Sequence, residues 1–216
     1  MSSVASALQE IYERLDRYFG PLNWWPAESP FEVVVGAVLT QNTNWKNVET
    51  AITSLKRAGL LSFRGLLCLS EDELARHIRS SGYYNLKARR LKNLLESIER
   101  DYGGDLELLF AEDTASARQA LLSVNGIGPE TADSILLYGG HHPSFVVDAY
   151  THRILMRHNL IPEECDYRYI QDLFMDNLSH DPEMFNQYHA LLVNTAKQFC
   201  RKSAPLCSGC PLEPML

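Results

Sequence analysis

No run of eighteen apolar residues occurs in this chain, so nothing in it reads as a membrane span. The N-terminal stretch MSSVASALQEIYERLDRYFG also lacks the basic start and apolar core of a secretory leader. Its Val4, Leu8, Ile11 and Leu15 recur at helical spacing instead, and an intracellular, cytoplasmic protein with no membrane partner is expected. Positive charge is short as well: 20 Lys and Arg against 27 Asp and Glu leave a formal net charge of −7. That balance speaks against indiscriminate polyanion binding, although the local field counts for more than the sum. Acids concentrate in residues 161–183, whereas NLKARRLKNL (85–94) carries Lys87, Arg89, Arg90 and Lys92 with no acid among them. That run is either a basic binding face on an acidic molecule or an ordinary solvated helix face. A secreted disulfide framework is absent too. Of the five cysteines, Cys68 and Cys165 stand apart, while Cys200, Cys207 and Cys210 crowd near the C-terminus as a local cluster.

Strict two-residue alternation is missing, which removes the signature of half-buried strands. Helical periodicity recurs instead in 30–40, 46–58, 71–79, 86–100, 115–122, 130–138, 149–158, 167–178 and 183–199. Breakers sit between these segments, among them Pro26, Pro30, Gly59, Gly82, Gly103, Gly104, Pro162 and Pro182. There is no internal repeat, low-complexity tract or long linker. An all-α protein of roughly ten short helices follows, large enough at 216 residues for one domain or two small lobes.

The most specific stretch is LLSVNGIGPETADSILLYGG (121–140), which reads as helix, tight hairpin, helix. Pro129 suits the first position of the second helix, and Gly126 and Gly128 can take positive φ and expose backbone N–H groups. Amides leading into a helix N-terminus attract phosphate oxygens, so an acidic chain can hold a nucleic-acid backbone without many lysines. An ordinary glycine-containing turn between packed helices is the plainer alternative.

The hairpin resembles the helix-hairpin-helix motif, and LLSVNGIGPETADSILLYGGHHPSFVVDAYTHRIL (121–155) is similar to the pattern of the HhH-GPD family of DNA glycosylases. In that family a loop after the second hairpin helix leads to an essential aspartate, which the resemblance places at Asp148, with Arg153 following it. FEVVVGAVLTQNT (31–43) looks like the family's glutamine loop, with Gln41, and SGYYNLKARRL (81–91) like its DNA-wedge loop, with Tyr83 and Tyr84. The resemblance implies a two-lobed helix-hairpin-helix glycosylase fold with its active-site cleft between the lobes. It assigns residues 23–134 to a six-helix barrel-like domain containing the hairpin, and 1–22 with 135–216 to a helical domain of the iron–sulfur type. A monomer acting on double-stranded DNA that contains damaged bases is expected.

Base release requires flipping the base, filling the gap and stabilising an oxocarbenium-like sugar with a carboxylate while water attacks. Asp148 is the candidate for stabiliser and general base, and can also cap helix 149–158. Gln41, Tyr83, Tyr84, Lys87, Asn125, Gly126, Gly128 and Arg153 are the candidate DNA contacts. Trp24, Trp25, Pro26 and Trp45 are the candidate base pocket, because an aromatic face attracts an alkylated, cationic base by roughly 0.5–2 kcal/mol. The WWP and LTQNT combination looks like the 3-methyladenine glycosylase branch; tryptophans buried as core are the alternative. Relatives that also nick the strand carry a lysine nucleophile in the second hairpin helix, and Glu130 occupies that place here. A monofunctional enzyme that leaves an abasic site is therefore expected. The other readings are an endonuclease III-like glycosylase and AP lyase on oxidised pyrimidines, or a non-catalytic DNA-binding module. Iron–sulfur members show four cysteines spaced C-x6-C-x2-C-x5-C; Cys200, Cys207 and Cys210 match three, and Leu216 stands at the fourth. Either a [4Fe–4S] cluster with an unusual fourth ligand persists, or the site has decayed.

Overall fold

The computed structural model describes residues 3–22 and 24–215 and is helical throughout, with no strand among the described residues. Twelve α-helices run in order: α1 (Val4–Phe19), α2 (Pro30–Leu39), α3 (Trp45–Arg57), α4 (Phe63–Cys68), α5 (Glu71–His77), α6 (Tyr84–Tyr102), α7 (Leu106–Phe110), α8 (Thr114–Leu122), α9 (Pro129–Ser134), α10 (Ala149–Arg157), α11 (Tyr167–Met175) and α12 (Pro182–Gln198). The two that periodicity does not reveal, α4 and α7, have six and five residues, too few to show a repeat. Their starts are marked instead by the caps Ser62 and Asp105.

The chain forms two compact units, Ala27–His142 and a discontinuous one of Met1–Pro26 with Pro143–Leu216. The boundaries differ from the expected 22/23 and 134/135. The second lies later because α9 continues without a break into the π-helical turn Ile135–Gly139, all of it buried. His142 then anchors the end of the unit: its ring nitrogens meet the Phe110 carbonyl at 3.1 Å and the Thr114 hydroxyl at 3.0 Å. Eight α-helices fall in this unit among the described residues, not six. At its centre lies α2, buried along most of its length, with Val34, Val35, Val38 and Leu39 in the core. Asp133, wholly buried on α9, is held by Arg118 of α8 through two bonds of 2.7 and 3.0 Å.

In the discontinuous unit, α12 is the core helix and α1 lays Leu8, Ile11 and Leu15 toward it. Tyr188, fully buried, donates its hydroxyl to the Leu8 carbonyl at 2.8 Å. Phe145 stacks on Phe174 at 3.7 Å between centroids and meets Phe185 edge-on. Gln187 then fixes the chain after α1: its amide donates to Asp16 Oδ1 (2.7 Å) and the Gly20 carbonyl (2.9 Å) and accepts from the Leu22 N–H (2.9 Å).

Candidate active site

Asp148 is the N-cap of α10, as its position before a helical repeat implies. Its Oδ1 is saturated, accepting from the N–H groups of Tyr150 (2.9 Å) and Thr151 (2.8 Å) and from the Thr151 hydroxyl (3.1 Å). Its Oδ2 lies 3.4 Å from Nε2 of His189 on α12, and the two side chains are 13% and 7% exposed. Burial pushes the Asp148 carboxyl up, but the His189 contact and the Thr151 donors outweigh it and hold the group below its ordinary value. The site thus keeps an ionised carboxylate with one oxygen committed to structure and the other facing an imidazole.

Beside it runs the segment that Gln187 holds. Trp24 meets the His189 ring edge-on at 5.9 Å and 76°. Lys197 places its ammonium 5.8 Å from the centre of the Trp24 ring, so the face expected to attract a cationic base already has a cation of the chain's own. Trp24 and Trp25 are both half-buried, Trp25 with φ of 60°, and Pro26 is exposed. Trp45 belongs to the other unit and opens α3 behind the Asn44 cap.

The hairpin turns at Gly126, where φ is 97° and a Cβ would collide with the Arg90 side chain. Gly128 departs from expectation: with φ of −96° it is extended, its Cβ position is open, and it precedes Pro129 at the start of α9. Among the described residues neither glycine amide donates to a protein acceptor, which leaves both for an outside oxygen. Asn125 is exposed at the tip. Gln41 does not project freely; it donates to the Gly126 carbonyl (3.2 Å) and Thr131 hydroxyl (2.9 Å) and accepts from Arg90 (2.5 Å). Glu130 is exposed in the first turn of α9.

Lys87 corrects the expected basic face. It is 1% exposed, and its ammonium donates to the carbonyls of Leu39 and Ser81, both at 2.7 Å. Desolvation lowers its pKa to about 8, and Arg90 adds to the fall. It therefore positions two loops and is not a surface contact. Tyr83 remains at the tip of its loop, 70% exposed and left-handed at φ 46°, while Tyr84 begins α6. Arg153 is turned to the C-terminal segment, donating to the Cys200 carbonyl (2.7 Å) with its guanidinium over the Tyr150 ring.

Cys200, Cys207 and Cys210 line one pocket with Ile154, Arg157 and His158. Arg157 donates to Cys200 Sγ at 3.3 Å and to the carbonyls of Arg201 and Lys202. Nδ1 of His158 is buried there without a hydrogen-bond partner. Burial raises the Cys210 thiol, and Cys200 and Cys207 raise it further. No three His, Cys, Asp or Glu among the described residues gather around a single ion's position. A cubane spaces its ligands more widely than one ion does, and three thiols with one unpartnered imidazole nitrogen suit iron. Leu216, at the fourth cysteine's place, lies outside the described residues.

The helical fold, the glycine hairpin and a capped aspartate beyond it are features of a class of helix-hairpin-helix repair proteins. The chain belongs to the HhH-GPD superfamily of base excision DNA repair proteins, whose sequence profile matches residues 35–180. It is 51% identical over 207 residues, 95% of this chain and 94% of the relative, to a Methanocaldococcus jannaschii protein with the provisional name DNA repair glycosylase MJ1434. Endonuclease III of Thermotoga maritima is 27% identical over 85% of this chain and 81% of its own. Among solved structures, the H. pylori 3-methyladenine DNA glycosylase MagIII bound to 1,N6-ethenoadenine matches with a TM-score of 0.77 at 27% identity, over 91% of this chain and 98% of that one. An endonuclease III–DNA complex shares the fold at a TM-score of 0.84 and 19% identity, over 100% and 95%.

Proposed function

We propose that this chain is a monofunctional DNA glycosylase that releases an alkylated base, 3-methyladenine being the type, from duplex DNA and leaves an abasic site. The observation that carries the proposal is the divided carboxylate of Asp148, one oxygen locked by its helix and the other 3.4 Å from the His189 imidazole. In the proposed reaction the bond from C1′ to the base breaks, its electron pair leaves on the base nitrogen, and water oxygen bonds to C1′. The proton of that water passes to Asp148 Oδ2. The Gly126 and Gly128 amides would take phosphate oxygens, Tyr83 would wedge the duplex, and the flipped base would meet the Trp24 and Trp25 segment. Likeness to the H. pylori 3-methyladenine enzyme supports the alkylated substrate.

Absence of strand nicking is supported by Glu130 at the nucleophile's place, since a carboxylate forms no imine. Lys87 has a lowered pKa, but its amine is enclosed between two carbonyls. The test is a panel of duplexes bearing 3-methyladenine, 7-methylguanine, ethenoadenine, hypoxanthine, uracil or thymine glycol. Strand breaks should appear only after hot alkali, and borohydride should trap no adduct; a trapped adduct overturns the monofunctional assignment. Release of thymine glycol in preference to the methylated bases overturns the substrate.

The cysteine pocket is proposed to hold a [4Fe–4S] cluster through Cys200, Cys207 and Cys210, with Nδ1 of His158 available for the fourth iron. Bound, the cluster would brace the C-terminal segment against α10. Visible absorbance with iron and sulfide analysis of freshly purified protein checks this, and protein free of iron overturns it.

A further inference from the structure

His189 is a buried imidazole on a helix whose neighbouring positions, Tyr188, Ala190, Leu191 and Leu192, are core. Burying such a group is unfavourable unless it is matched, and what it faces is Oδ2 of Asp148 on one side and the Trp24 ring on the other. We propose that His189 is a positioning residue for base release, holding Oδ2 of Asp148 in place as the oxygen that takes the proton of the attacking water. The inference rests on Asp148 as the catalytic carboxylate. The Oδ1 donors fix where the carboxylate sits; the imidazole fixes which way its remaining oxygen points and favours its charged form.

Other titratable or charged groups around the carboxylate are accounted for. On α10, Tyr150 and Arg153 follow it, and the Arg153 guanidinium is spent on Cys200 and Ala149 carbonyls. From α11, Tyr167 receives the Val147 N–H at 3.3 Å. Further along α12, Lys197 stands over Trp24. Of these groups, His189 is the one that meets Oδ2.

The test compares wild type with H189A, H189Q and D148N. Carbon-13 NMR of the Asp148 carboxyl in the free protein should show its midpoint at least about one pH unit higher in H189A, a tenfold change in the protonation equilibrium. H189Q, a neutral donor of similar reach, should shift it less. In single-turnover base release from a 3-methyladenine duplex, the acid limb should move up by the same amount, a loss that approaches tenfold only at pH values below both midpoints, while DNA affinity stays within twofold. An unmoved NMR midpoint overturns the proposal whatever the substrate, and if H189A does not fold, the midpoint in H189Q decides the matter in the same way. If D148N is inactive and H189A follows the wild-type profile, the inference about His189 fails alone. If D148N keeps full rate, the assignment of Asp148 fails.

Discussion

Each unit of the molecule buries one aspartate beside a cationic or basic partner, and the two are built to opposite ends. Asp133 meets the Arg118 guanidinium with both oxygens, at 2.7 and 3.0 Å, and is 0% exposed. Asp148 gives one oxygen to three donors of its own helix and leaves the other at 3.4 Å from His189. A bidentate pair commits both carboxylate oxygens to a structural partner, whereas Asp148 commits only one to its own helix. Burial alone does not separate the two aspartates, whereas the number of oxygens committed to fixed donors does.

Five substitutions press on that contrast. Asp148→Asn should lower single-turnover base release by about 10²- to 10⁴-fold while DNA binding persists, because the amide can no longer take a proton; unchanged release would erase the contrast. Arg118→Met should remove the bidentate cation that matches the buried Asp133 and cost about 3–5 kcal/mol in denaturant unfolding, with little effect on rate per folded molecule. Lys87→Met sharpens the comparison with a cation. A lysine whose folded pKa is lowered to about 8 burdens the folded state at lower pH and is relieved as pH rises toward its unfolded value. Stability of wild type relative to this variant should therefore increase from pH 8 toward pH 10.5 in urea melts. Gly128→Ala, at an open position with ordinary φ, should leave the melting temperature within a degree or two but weaken binding to all DNA sequences alike. The same change at Gly126, where φ is 97° and Arg90 fills the space, should lower stability as well.

Periodicity and capping residues made most helices legible, and Asp148 could be recognised as a cap from its place before a helical repeat. What escaped was set by partners far away in the chain. Lys87 reads as part of a basic run because nothing nearby shows that the carbonyls of Leu39 and Ser81 will close over it. His189 lies in an apolar helix and carries no motif; only folding brings it to Asp148. Gly128 resembles Gly126 in composition, yet Pro129 after it favours an extended residue, a signal that lies in the sequence itself. The Trp24 face was legible as aromatic, but the Lys197 ammonium over it was not.

Lys87 has a mechanical consequence. Its three-proton head joins the carbonyl that ends α2 to the carbonyl just before the Tyr83 tip, while Arg90, one turn on, holds Gln41, and Gln41 holds the hairpin. Three loops that are remote in sequence are thus riveted to one another. Force applied at the exposed tyrosine has a short path to the glycine turn, through Lys87 and Arg90 of α6 and then Gln41.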